Sequence, residues 1–166
     1  MTYSDFKFKI YIVRRSIITL ILVIWVTSSA AQTVTATNDL LFGDIFAGVP
    51  KTILKTSSTN AAEFTVTGTP DDELTLTFDL PTYLSTTGAN MPVFFSNIDC
   101  AIDSTNPPDQ SNPSADDLNP HEVQTYRFGS TGQLMIWLGG RLVPGLVQKA
   151  GNYSATIRLT AVLTGN

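Results

Sequence analysis

The stretch Tyr153-Ser154-Ala155-Thr156-Ile157-Arg158-Leu159-Thr160-Ala161-Val162-Leu163 decides the fold class. Tyr153, Ala155, Ile157, Leu159, Ala161 and Leu163 share one parity, and Ser154, Thr156, Arg158 and Thr160 share the other. Successive side chains of a strand point to opposite faces of its sheet, so the pattern predicts a long strand with one buried face. A helix would gather its apolar residues every three or four positions, and this stretch does not.

The same period runs back through the chain. Leu74, Leu76, Phe78 and Leu80 alternate with Thr75, Thr77 and Asp79 until Pro81 ends the run. Phe64 and Val66 alternate with Thr65 and Thr67, and residues 33–37 alternate more weakly. Residues 51–56, 92–95 and 122–128 are shorter candidates. The abundant Thr fits, because β-branched side chains suit a pleated surface. Gln133–Leu138 (QLMIWL) is apolar on both parities, with Leu134, Ile136 and Leu138 on one and Met135 and Trp137 on the other. Cover of the second face by a loop is the ordinary outcome of such a pattern. The alternative makes Met135 and Trp137 an exposed contact for another subunit. Gly48-Val49-Pro50, Gly68-Thr69-Pro70-Asp71-Asp72, Thr87-Gly88-Ala89-Asn90, Gly139-Gly140, Pro144-Gly145 and Gly151-Asn152 read as turns between strands. Frequent turns between short strands predict an all-β chain, an immunoglobulin-like β-sandwich of about seven to nine strands.

Residues 104–120 (STNPPDQSNPSADDLNP) stand apart, with four prolines and almost nothing to bury. They read as a mobile excursion between two strands of a single domain over residues 32–166. Residues 1–31 read differently. Lys7, Lys9, Arg14 and Arg15 are followed by the apolar run SIITLILVIWV at 16–26, then by Thr27-Ser28-Ser29-Ala30-Ala31. Basic, apolar and small segments in that order are the pattern of a cleavable secretory signal, here a signal helix cut after Ala31. The alternative is a retained anchor, but the apolar run is about half the roughly 20 residues a spanning helix needs. The expected location is the periplasm, the cell surface or the extracellular space.

Beyond Ala31 the chain carries 6 basic and 13 acidic residues, a formal charge of −7. Nucleic acid and anionic membrane surfaces need a basic face, so neither is an expected partner of the processed chain. Cys100 is the only cysteine, which rules out an internal disulfide and predicts a buried thiol. Catalytic chemistry finds little support. His121 is the only histidine and no Gly-x-Ser-x-Gly elbow is present. Zinc lacks enough Cys and His ligands. Asn97, Asp99, Asp103, Asp109, Asp116 and Asp117 are oxygen donors of the kind calcium takes, but EF-hand spacing is missing and a solvated acidic loop is expected. Asp71, Asp72 and Glu73 follow Pro70 in a turn, where acids are common. The sequence therefore predicts no enzyme, no cofactor and no metal.

Three stretches together carry a resemblance. Asn38-Asp39-Leu40-Leu41-Phe42-Gly43 is the first and Ala61-Ala62-Glu63-Phe64-Thr65-Val66-Thr67-Gly68 the second. The third runs Leu138-Gly139-Gly140-Arg141-Leu142-Val143-Pro144, then Gly151-Asn152-Tyr153-Ser154-Ala155-Thr156-Ile157-Arg158-Leu159-Thr160. Their order resembles the bacterial secreted family known as domain of unknown function 4402. It is more distantly similar to spore-coat-U-like proteins and chaperone–usher pilins. The resemblance implies a structural, immunoglobulin-like domain of the cell surface without catalytic residues. The single Cys and the ending Leu163-Thr164-Gly165-Asn166 depart from the disulfide and near-terminal Tyr usual in such pilins.

The expected function is a fimbria-like or surface-coat subunit that associates with itself or with other surface proteins. A sheet edge can accept an added strand through main-chain hydrogen bonds. Residues 32–42 form a candidate donor, with Val34, Ala36, Leu40 and Phe42 on one face. Tyr153, Ile157, Leu159 and Leu163 mark the second candidate assembly strand. The alternative is an outer-surface module binding carbohydrate or protein through Tyr83, Phe94, Tyr126 or Trp137. N-terminal sequencing of the exported protein is expected to read Gln32-Thr33-Val34, and an uncleaved N-terminus would return the leader to the anchor reading.

Overall fold

The alternating runs become twelve short strands in a computed structural model that describes residues 32–165. The expected signal helix over residues 1–31 lies outside the described residues. In chain order the strands are β1 (Thr33–Asn38), β2 (Lys51–Ile53), β3 (Ala62–Thr67), β4 (Glu73–Asp79), β5 (Tyr83–Thr86), β6 (Ala89–Phe94), β7 (Cys100–Asp103), β8 (Ala115–Leu118), β9 (Gln124–Arg127), β10 (Gln133–Leu138), β11 (Gly140–Leu142) and β12 (Arg158–Leu163). They form three antiparallel sheets ordered β1-β3-β10-β7-β8, β2-β11-β6-β5 and β12-β4-β9. The class is all-β and sandwich-like, cut into more and shorter strands than the alternation predicts.

The inner faces of the three sheets meet in one core. Phe64 and Val66 of β3, Leu134 and Ile136 of β10 and Ile102 of β7 come from the five-stranded sheet. Leu74 and Leu76 of β4 and Met91 and Val93 of β6 close on them. Phe64 and Phe78 meet edge to face, ring centres 5.8 Å apart. Each fully buried side chain of this size contributes about 1.5–3 kcal/mol. Gly139-Gly140 is not a simple turn. The chain leaves the five-stranded sheet at Leu138 and enters the four-stranded sheet at Gly140. A Cβ on Gly139 would stand 2.6 Å from the Ile53 carbonyl oxygen, so only glycine lets the corner approach β2 this closely.

Three further expectations need correction. The closing strand pairs with β4 only from Arg158 to Leu163, while Ser154 makes an isolated bridge to Ser85. Tyr153 and Ile157 still face inward as half-buried residues, so the parity holds where the ladder does not. Met135 and Trp137 are no exposed contact: they are 9% and 3% exposed and pack with Ala101 as a second small cluster. Polar side chains from the neighbouring strands close over them. The Trp137 Nε1–H donates to Glu63 Oε2 at 2.8 Å, and Thr65 Oγ1 lies 3.1 Å from Met135 Sδ.

The third correction concerns residues 104–120, read as a mobile excursion and a solvated acidic loop. The segment contains β8, and Pro120 is fully buried. Its organising group is Asp103, opposite Met135 in register and 1% exposed. The Asp103 carboxylate accepts hydrogen bonds from Thr105 N (3.1 Å) and Oγ1 (2.7 Å), Asp109 N (2.7 Å), Ser114 N (3.2 Å) and Ser114 Oγ. Burial alone would raise its pKa, but donors from Ser114, Asp109 and Thr105 outweigh it and hold the group well below the ordinary carboxylate value. Cys100 is fully buried, as expected, and burial pushes its thiol up to about 12.

Asp103 is therefore the place to test the loop. Asp103→Ala is expected to lower stability by about 2–4 kcal/mol in urea denaturation at neutral pH. A depressed folded-state pKa stabilises above the unfolded value, so the difference between wild type and variant should shrink as pH falls below about 4.

Candidate functional site

Each sheet has two border strands whose outer backbone groups lack a ladder, and the six borders are not alike. β8 carries Asp116 and Asp117 on its edge. Lys55 Nζ sits 2.8 Å from Asp116 Oδ1 and 2.5 Å from Asp117 Oδ1, and donates to the Ile98 carbonyl at 2.7 Å. Burial opposes the charge on Lys55, but the two carboxylates prevail and raise its pKa. The hydrogen bond from Lys55 in turn lowers that of Asp116. Charge on a border strand discourages further pairing, so β8 is a protected edge. At the opposite border of the same sheet, β1 reads Thr-Val-Thr-Ala-Thr-Asn, without a charge or a proline.

This uncharged border faces the free border of the three-stranded sheet. Gln32 Nε2 donates to the carbonyl of Ala161 on β12, and no backbone ladder joins β1 to β12. Gln32 Oε1 is shut off from solvent and accepts nothing from the described residues. Away from this bridge the borders part around a groove of about 380 Å³. Ala36, Asn38 and Leu40–Phe42 form one wall, Tyr153–Ile157 the other, and Phe64, Val93 and Phe95 of the core lie beneath. An adjoining hollow of about 730 Å³ shares Leu40, Phe42, Leu84 and Tyr153 with it. The groove thus brings a strand border, an unladdered segment and core side chains to one opening. That arrangement can take an extended peptide by backbone pairing.

The predicted assembly residues divide accordingly. Ala36, Leu40, Phe42, Tyr153 and Ile157 line the groove. Val34 lies on the same strand, 38% exposed, while Leu159 and Leu163 pack on the core from β12. Residues 32–42 are not one continuous strand. The β1 register shifts between Ala36 and Asn38, Leu41 N donates to the Asn60 carbonyl at 2.9 Å, and Phe42 is buried in the core. The cause is local: Leu40, Leu41 and Phe42 are consecutive apolar residues, and a strand would have to expose at least one of them.

Of the four aromatic candidates, Trp137 is buried and Tyr126 packs partly against the core. Tyr83 and Phe94 are 51% and 56% exposed. Tyr83 lies opposite Pro92 in register, so Tyr83, Pro92 and Phe94 share one outer face. His121 donates from Nε2 to the Phe95 carbonyl at 2.8 Å, a contact that holds the start of β9 rather than a nucleophile. Among the described residues no group of three or more His, Cys, Asp or Glu side chains is placed to hold a metal ion. Sequence reasoning missed β7, β8 and the Asp103 centre, because Cys-Ala-Ile-Asp is buried at every position and shows no alternation.

The geometry defines an all-β, sandwich-like domain with one open, uncharged side. Residues 47–162 match the family model described as Domain of unknown function (DUF4402), and the chain belongs to that family. No curated protein matches the chain. The open side has a direct signature in amide hydrogen exchange. Backbone amides of Ala155–Ile157 and the outer border of β1 should exchange fast, and those of β10, paired on both edges, slowest.

Proposed function

We propose that this protein is an exported structural subunit of a cell surface or coat that works by associating with other copies through its open side. The observation that carries the reading is the contrast between borders: β8 is charged and clamped by Lys55, whereas β1 is six residues long, uncharged and set beside an apolar groove. Natural β-proteins blunt the edges they keep single, so an unblunted one favours use as a contact. The order of basic, apolar and small segments before Gln32 supports export. The distant likeness to spore-coat-U-like proteins and pilins supports a structural role. A second reading, binding of carbohydrate or protein at the outer surface, rests on Tyr83, Pro92 and Phe94 standing together on one exposed face.

Sedimentation of the exported protein over a concentration series separates the two. Self-association should appear as concentration-dependent oligomers. Ala36→Lys, which puts a charge beside the groove at an exposed position, should raise the concentration needed at least tenfold, about 1.4 kcal/mol. A protein that stays monomeric throughout, and binds glycans in a way that Phe94→Ala abolishes, would instead support the second reading.

A further inference from the structure

We infer that copies of this chain are joined by exchange of β1, which leaves β3 of its own domain and pairs with β3 of a second copy. The inference rests on the self-association reading above and names the segment that makes the contact. Its first ground is how lightly β1 is held. The strand is bonded on one edge alone, and five of its six residues are exposed. Val34 and Ala36 belong to the core-facing parity, opposite Val66 and Phe64, yet the neighbouring groove leaves both exposed. Detachment therefore uncovers little apolar surface that solvent does not already reach.

The second ground is a hinge in the right place. The β1 register is irregular between Ala36 and Asn38, and from Asp39 to Pro50 the chain enters no strand. The core anchors downstream, at the Leu41–Asn60 backbone bond and at buried Phe42. A swing about residues 37–40 moves β1 as a unit and leaves those anchors in place. The bridge that closes the far end, Gln32 to Ala161, is a single side-chain contact whose other amide atom is buried without a partner.

The third ground identifies the occupant. Within the chain, Thr33 Oγ1 meets Thr67 Oγ1 at 2.6 Å, Thr37 Oγ1 donates to Glu63 Oε1 at 2.8 Å, and Asn38 Nδ2 donates to the Ala61 carbonyl at 2.8 Å. A second copy offers Thr67, Glu63 and Ala61 in the same register, so the exchanged contact repeats the internal one and concentration sets the balance between them. One-way donation leaves each acceptor's β1 free for the next copy and gives an open row. Reciprocal donation closes a pair.

The test uses the full chain carrying Thr33→Cys and Thr67→Cys, whose side chains stand in direct contact across β1 and β3. The protein is purified reduced, concentrated until it assembles, then oxidised and run on a non-reducing denaturing gel. Cys100 is fully buried and stays out of the reaction. Exchange predicts covalent dimers or larger multiples. It also predicts that oxidation before concentration locks β1 in place and abolishes assembly. Assembled protein that runs as a monomer with an internal disulfide overturns exchange while self-association stands, and absence of assembly at every concentration overturns both. Thr35→Cys with Thr65→Cys, the next pair in register, repeats the test should the first variant misfold.

Discussion

Backbone donors and acceptors on the last strand of a sheet must find partners or stay in water, and a domain of three small sheets meets this constraint six times. The chain meets it differently at each border. Two carboxylates and a lysine guard β8, and brevity limits β2 and β5 to three and four residues. β1 and β12 are the longest border strands, six residues each, and they face one another with one glutamine side chain between them. The opening of the groove, the exposure of Val34 and Ala36 and the partial burial of Tyr153 and Ile157 follow from this one unladdered seam.

The rest of the domain is held from the other side of the seam. β10 is paired on both edges and covered on both faces, so its residues serve two clusters at once. Leu134, Ile136 and Leu138 fill the main core, while Met135 and Trp137 lie under polar side chains from β3. Asp103 extends that second face by gathering the loop around a carboxylate. The domain thus obtains order from hydrogen bonds in a region whose composition offers almost nothing apolar. It has no disulfide to restrain it, because its one thiol is sealed in the core.

Much of the fold was legible because parity is a local property. β3, β4 and β10 follow directly from Phe64/Val66, Leu74/Leu76 and the QLMIWL run. What escaped depends on distance along the chain. The ladder from residue 153 stops short because the partner of Ser154 is Ser85, not β4, and nothing within 153–163 encodes that choice. Trp137 becomes buried through Glu63, 74 positions away. Asp103 looked like one more solvated acid because its five donors lie in a proline-rich stretch without periodicity. The candidate site was half legible: the residues on its two walls could be read, but the groove between them exists only once both borders are placed.

The position of β10 has a bearing on the order in which the domain is made. Its partners β3 and β7 end at Thr67 and Asp103, so both must wait for residues 133–138 before the five-stranded sheet has a middle. β1 and β3, by contrast, can meet as soon as residue 67 is available. Contacts between such distant segments carry a large loop-closure penalty and form slowly. The newly made chain therefore passes through a long interval in which β1 and β3 are complete and the centre of their sheet has yet to arrive.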